Sequence, residues 1–229
     1  MNVENAHFIL ADSRSGSTLL QDHLNCHPDN TELGEVFGTN TLLPPGSGYK
    51  CEIGYLNCLF SKVATPHKGC KIIFGQLASR LSPIHFLLRY RTCKFILLER
   101  ENVVQSAVSL LYAEKTGVYH SRGNTTGSGS IKVDAELLKL MIDTRATYKQ
   151  LGLDCLRTIG ANTMRLTYES MLEEPRRTVE KALAFLGLSP VDTASTLRKV
   201  TPSNLRGLIE NYDEVRAAFA GRSDICFFE

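Results

Sequence analysis

The 229-residue sequence predicts an α/β fold, an open parallel sheet flanked by helices, and three observations predict it. Apolar runs of strand length alternate with helical patterns along the chain. The runs "KIIFGQ" (71–76) and "KFILLER" (94–100) are apolar and bounded by charge, as parallel strands covered on both faces are. The first strand-like run also passes through a Ser/Gly turn straight into a helical pattern, "ILADSRSGSTLL" at 9–20. In such sheets ligands sit beyond the carboxyl ends of the strands.

Taken in order, "HFILAD" (7–12) is a short β-rich run followed by a loop and a helix from about Thr18 to Cys26. "KIIFGQ" and "KFILLER" are the next two strands, and "TMRLTYE" (163–169) is a fourth. Asn102 and Gln105 have capping-box spacing, which starts a helix at 102 or 103 and carries it to about Tyr119. Asp134 caps a further helix whose face is read as Leu137, Leu138, Met141, Tyr148 and Leu151. In "EEPRRTVEKALAFLGL" Pro175 takes a first helical position, Val179, Leu183 and Leu186 form one stripe, and Gly187 is the stop. "GTNTLLPPGSGYK" (38–50) and "HSRGNTTGSGSIK" (120–132) are loops, the second flexible enough to close over a site.

The length suits one domain over 1–229, with 43% apolar and 22% charged residues, as in globular proteins. A net charge of +2 is too mild to point to nucleic acid. No apolar run approaches the roughly 18 residues of a membrane span, and "MNVENAHFIL" lacks the pattern of a signal peptide. Seven scattered cysteines without a C-x-x-C fit reduced thiols in a cytoplasmic protein rather than a disulfide framework or a zinc site. No metal is implied.

The opening loop has the character of an anion grip. Backbone N–H groups of Ser15, Gly16, Ser17 and Thr18 lie at a helix N-terminus, where unpaired donors and the helix dipole favour negative charge. Gly16 lets an anion approach the backbone, and Arg14 adds a fork of donors for phosphate or sulfate oxygens. The G-x-x-x-x-G-K-[ST] pattern of nucleotide-cleaving P-loops is absent, with neither its second glycine nor its lysine. The loop therefore suits a pre-activated donor. A second pocket is read in "LLERENVVQSAVSLLYA", where Arg100 ends a strand and Ser106 and Ser109 follow one turn apart on the next helix. Two such pockets on neighbouring strand ends fit a nucleoside with phosphates at both ends.

On these residues the chain resembles the sulfotransferases that use 3'-phosphoadenosine 5'-phosphosulfate (PAPS), most closely the bacterial carbohydrate branch of trehalose and Nod-factor type. "SRSGSTLL" is similar to the family's 5'-phosphosulfate loop and "RENVVQSAVS" to its 3'-phosphate motif. Weaker similarity runs through "GCKIIF", "LTYESMLEEPRRTVEKALAFLGL" and "IENYDEVRAAFAG". The resemblance implies a P-loop-like sulfotransferase fold in which Arg14, Ser15, Gly16, Ser17 and Thr18 hold the 5'-phosphosulfate. Arg100 and Ser109 would hold the 3'-phosphate, and adenosine 3',5'-bisphosphate (PAP) would be the product. Two departures stand out: Ser13 replaces a common proline, and Arg100 and Ser109 lie nine apart rather than the usual eight, which makes Ser106 a rival to Ser109.

Sulfuryl transfer to a hydroxyl also needs a base. "NCHPDNTELGEVFG" (25–38) offers Glu32, Glu35 and His27, with His23 just before it. "GEVF" best matches the G-E-x-F of the related carbohydrate enzymes, so Glu35 is the candidate catalytic residue beside Arg14, with Glu32 in reserve and a histidine base, His27 or His120, as a further alternative. Lys71 matches a lysine recurrent in the branch, and Arg206 is a candidate for the nucleotide. The expected acceptor is a small-molecule or glycan hydroxyl on a carbohydrate, glycolipid or other small acceptor. The alternatives are a small-molecule kinase of P-loop type and a catalytically silent PAPS/PAP-binding module.

Overall fold

The computed structural model describes residues 5–38, 52–79, 83–119, 129–193 and 204–225. At its centre is β1 (Ala6–Ala11), from which the loop leads into α1 (Ser17–Leu24). The chain continues through β2 (Asn30–Glu35), α2 (Glu52–Ser61), β3 (His67–Ile73), α3 (Phe74–Ser79), α4 (Pro83–Arg89) and β4 (Lys94–Glu99). After β4 come α5 (Val103–Thr116), α6 (Ala135–Thr158), β5 (Asn162–Thr167), α7 (Tyr168–Glu173), α8 (Pro175–Leu186), α9 (Leu205–Leu208) and α10 (Tyr212–Ala218). The five strands are all parallel, in the order β2-β3-β1-β4-β5.

Alternation along β1 explains the layering. Phe8 and Leu10 enter a core with Phe60, Phe86, Tyr90 and Phe95 beneath α2 and α4. Ile9 and Ala11 point to the other face, where Leu20, Leu24, Val179 and Leu183 of α1 and α8 cover them. A third cluster joins α5 and α6 to α9 and α10. The chain passes from β1 to the β2–β3 side and then returns across β1 to β4, so the carboxyl end of β1 is the switch point where a crevice opens.

The helix signals act largely as read. Asn102 accepts from Gln105 N at 2.8 Å, and Gly117, with φ 72, stops α5 at Thr116 rather than near Tyr119. Asp134 caps α6 through the N–H groups of Glu136 and Leu137, and Pro175 and Gly187 bracket α8. The apolar face of α6 needs correction. Leu138 is buried, but Leu137 and Leu151 are exposed, and the helix buries Ile142, Gly152 and Leu156. Residues 39–50 and 120–128, most of the two expected loops, lie outside the described residues, as does His120.

The largest departures are on the β2 side. The segment read as "KIIFGQ" is strand only to Ile73, while β3 begins four residues earlier at His67. β2 itself, "NTELGE", has no apolar run to betray it; its inward residues are Asn30 and Glu32. Glu32 bonds His7 Nε2 at 2.6 Å and accepts from Asn30 at 3.1 Å and Gln21 at 3.1 Å. Gly69 makes room for this cluster, since a Cβ there would lie 2.1 Å from His7 Nε2 and 2.6 Å from Glu32 Oε1.

Burial pushes the Glu32 carboxyl upward, but the His7 charge and the hydrogen bonds from His7, Asn30 and Gln21 outweigh it, holding the group below its ordinary 4.5. A carboxylate depressed in the folded state contributes stability that is complete above its unfolded value and fades as pH falls through its folded value. Glu32→Ala is therefore expected to cost about 3–5 kcal/mol at pH 7, because it leaves buried polar partners unmatched. Urea unfolding at pH 7 and again well below pH 4 checks this: the difference between wild type and variant shrinks in acid.

Candidate active site

The loop between β1 and α1 brings the chain into the helix through two left-handed residues. Arg14 takes a left-handed conformation with φ 66, which a non-glycine residue adopts only where its surroundings enforce it. Gly16, with φ 85, is the N-cap of α1, and no side chain caps the helix. A Cβ on Gly16 would lie 2.5 Å from Tyr168 Cδ2, so only glycine fits between the loop and the start of α7. Ser15 turns inward and donates to the Asp12 carbonyl at 2.7 Å, closing the turn.

Arg100, just past the end of β4, reaches this loop directly. Its Nη1 donates to the Arg14 carbonyl at 3.0 Å and its Nη2 to Gln105 Oε1 at 2.7 Å, and the guanidinium lies over the Tyr168 ring, 4.6 Å from its centroid. The two motifs thus meet at one place. The Arg14 side chain crosses to the other motif, its Nε donating to Ser109 Oγ at 3.1 Å and its Nη1 to the Tyr119 carbonyl. Neither serine is the direct hydrogen-bond partner of Arg100 among the described residues. Ser106 instead donates to the Ser13 carbonyl at 3.0 Å and accepts from Arg145 Nη1 at 3.3 Å.

Glu169 acts favourably on Arg100 through space, but no carboxylate is among the described hydrogen-bond partners of the two arginines. Every described hydrogen-bond partner of Arg14 and Arg100 is neutral: hydroxyl, carbonyl or amide oxygen. Burial lowers the pKa of both guanidiniums, and Arg100 lowers that of Arg14 further by repulsion. Arg100 Nε is buried without a partner among the described residues. Adjacent, half-desolvated cations with a spare donor are stabilised by a multivalent anion.

The carboxylate candidates separate clearly. Glu32 is buried in the His7 cluster, its oxygens occupied. Glu35, at the end of β2, keeps about a third of its side chain exposed. Its Oε2 is 3.1 Å from Lys71 Nζ and its Oε1 accepts from Gln76 at 2.7 Å. Lys71 in turn donates to Thr18 Oγ1 at 2.9 Å, so one lysine links Glu35 to the first turn of α1. His27 is buried, near Ser189 Oγ at 3.2 Å and accepting at Nδ1 from Asp29 N, and His23 contacts Thr193 Oγ1 at 3.1 Å. Arg206 pairs with Asp213 at 2.8 Å and lies over Tyr212, occupied within the C-terminal helices.

Sequence reasoning missed Gln105, Tyr168 and Arg145 at this junction. Gln105 was legible only as a capping residue, and Tyr168 only as the end of a strand. Nothing in the local pattern announced that they would meet Arg100 from different elements. Among the described residues no group of three or more His, Cys, Asp or Glu side chains is arranged to hold a metal ion, and no helix is long and apolar enough to cross a membrane.

Comparisons with known proteins agree on the kind of molecule. Nodulation protein H of Rhizobium tropici is 28% identical over 235 residues, covering 96% of this chain and 92% of that protein. Nodulation protein H of Rhizobium meliloti is 27% identical over the same length, with 94% of that protein covered. Among solved structures, a sulfotransferase from Alicyclobacillus acidocaldarius superposes with a TM-score of 0.57 at 16% identity, covering 96% of this chain and 93% of that one. The sulfotransferase domain from the curacin biosynthetic pathway gives 0.54 at 15% identity, covering 89% and 82%. These two share the fold. The sequence model of the Stf0 sulphotransferases matches residues 84–213, more than half of the chain and inclusive of Arg100 and α5. The chain belongs to the Stf0 sulphotransferase family.

Proposed function

We propose that this sulfotransferase takes its sulfuryl group from PAPS and delivers it to a hydroxyl of a carbohydrate or another small acceptor, with PAP as the product. The observation that carries the reading is the contact between Arg100 and the Arg14 carbonyl, which joins two cationic pockets at the carboxyl end of the central strands. The neutral partners of both guanidiniums and the free Arg100 Nε fit a ligand with phosphates at both ends. PAPS supplies a sulfuryl group already activated on a phosphate leaving group.

In this reading the N–H groups at the start of α1, with Arg14, Ser15, Gly16, Ser17 and Thr18, hold the 5' end and stabilise charge on the departing oxygens. Arg100 holds the 3'-phosphate. Ser109 positions Arg14 through its hydroxyl, and Gln105 and Tyr168 orient Arg100. Glu35 accepts the acceptor's proton, since it is the carboxylate near the first turn of α1 that stays open to solvent. Lys71 holds Glu35 in place through its ion pair while presenting its ammonium beside Thr18.

Family membership sets the kinase alternative aside. The test of the donor and the acceptor class is transfer of radiolabelled sulfate from PAPS onto a panel of glycans and simple alcohols. Label on a carbohydrate hydroxyl is the expected result. Label on none of them, with PAP still bound, would leave a silent binding module.

A further inference from the structure

Three successive carbonyls of the loop between β1 and α1 are each held by a side chain. Ser15 Oγ donates to the Asp12 carbonyl at 2.7 Å, Ser106 Oγ to the Ser13 carbonyl at 3.0 Å and Arg100 Nη1 to the Arg14 carbonyl at 3.0 Å. In a trans peptide the N–H lies opposite the carbonyl, and no cis bond occurs among the described residues. Holding these carbonyls therefore also sets where the N–H groups of Ser13, Arg14 and Ser15 point. The Ser13 and Arg14 carbonyls belong to the two peptide planes that flank Arg14, whose φ is 66. Ser106 on α5 and Arg100 past β4 thus grip the loop on either side of its left-handed arginine.

Of these three donors, Ser15 is local to the turn and Arg100 is assigned to the nucleotide, whereas Ser106 has no role in the reading above. It is buried on α5. A serine inside a helix has an acceptor at hand in the carbonyl four residues back, here that of Asn102, yet the Ser106 proton goes to Ser13. Arg145 on α6 donates its Nη1 to the same Ser106 oxygen at 3.3 Å. A hydroxyl carries one proton, so the chain has a direction, from guanidinium to hydroxyl to loop carbonyl. A cationic donor polarises the hydroxyl and strengthens its own donation. Arg145 makes no ion pair among the described residues: Asp12 and Glu114 act on it through space, and its Nη2 is sealed from solvent without a partner there. Its Nη1 bond to Ser106 is thus its described tie to the loop.

We propose that Arg145 is a positioning residue for sulfuryl transfer, acting through Ser106 to hold the Ser13 carbonyl and with it the conformation of Arg14. Ser106 then belongs to the frame of the loop and not to the 3'-phosphate. The inference rests on the PAPS reading for its effect on transfer, and on the geometry alone for its effect on the loop.

Ser106→Ala, Arg145→Met, their double variant and Arg145→Lys test it in the full chain. Ser106→Ala and Arg145→Met are each expected to lower PAPS-dependent turnover by about ten- to hundredfold, the penalty of a loop displaced by about an ångström. PAP should bind about tenfold more weakly to each. Adenosine 3'-phosphate, which brings no group to the loop, should bind within about twofold of wild type. The double variant should be no more than about threefold worse than Ser106→Ala alone, because Arg145 acts through Ser106. Arg145→Lys, which keeps a cationic donor, should recover most of the loss. Multiplied losses in the double variant, equal weakening of the two nucleotides, or unchanged turnover in both single variants would overturn the proposal. Should Arg145→Met fail to fold, Ser106→Ala and Arg145→Lys carry the same comparison. Amide hydrogen exchange of the nucleotide-free chain reads the loop itself: residues 13–18 should exchange faster in Ser106→Ala while α8 keeps its wild-type rate, and an unaltered loop would overturn the proposal. If the wild-type chain binds neither nucleotide, the PAPS reading fails, and the exchange result alone decides whether Ser106 holds the loop.

Discussion

Glu35→Gln is expected to lower PAPS-dependent sulfate transfer by about two to four orders of magnitude, the range over which a positioned general base acts. The substitution keeps the size of the side chain and an oxygen for the Gln76 contact. It removes the carboxylate that Lys71 ties to the start of α1. Binding of PAP should stay within about threefold, because Glu35 touches none of the residues assigned to the nucleotide except through Lys71. Single-turnover assays alongside calorimetry separate the two effects. Unchanged turnover would remove Glu35 as the base, and equal loss of turnover and of PAP binding would make it a support for the loop.

The second large effect is expected from Arg100→Ala. If Arg100 holds the 3'-phosphate as proposed, its loss removes charge-assisted hydrogen bonds of about 1.5–3 kcal/mol each. Affinity for PAP should therefore fall by about two orders of magnitude or more. Affinity for adenosine 5'-phosphate, which lacks the 3' group, should fall far less, the residual loss reflecting the Arg100 bond to the Arg14 carbonyl. Parallel titrations of the two nucleotides read the difference. Equal weakening would mean that Arg100 acts only by shaping the loop.

Much of the candidate site is legible in the sequence, and what is not has a physical cause. The opening loop could be read because its chemistry is local: strand, positive-φ turn and helix start all fall within ten residues. Arg100 and the α5 helix were legible for the same reason, a strand end and a cap lying side by side. Gln105 and Tyr168 were not, since their contacts with Arg100 depend on how α5 and α7 pack around it. β2 escaped because it is an edge strand whose inward side is polar. Its Glu32 is matched by His7 and spared a clash only by Gly69, three residues that come together through strand pairing alone. That same pairing separates Glu32 from Glu35. Three residues apart in one strand, they lie in different environments, one sealed in the His7 cluster and the other at the open end beside Lys71.

Coupling between Arg14 and Arg100 is the centre of the account. The pair lies at the switch point of the sheet, the described hydrogen-bond partners of both guanidiniums are neutral, and burial lowers the pKa of each. In the proposed reading a doubly charged ligand that bridges the pair offsets the cost of that burial. The most direct measurement is isothermal titration of the wild-type chain with PAP and with adenosine 5'-phosphate under identical salt. Tighter binding of PAP by about a hundredfold or more is the predicted result; indistinguishable affinities, or no heat from PAP at all, would contradict it.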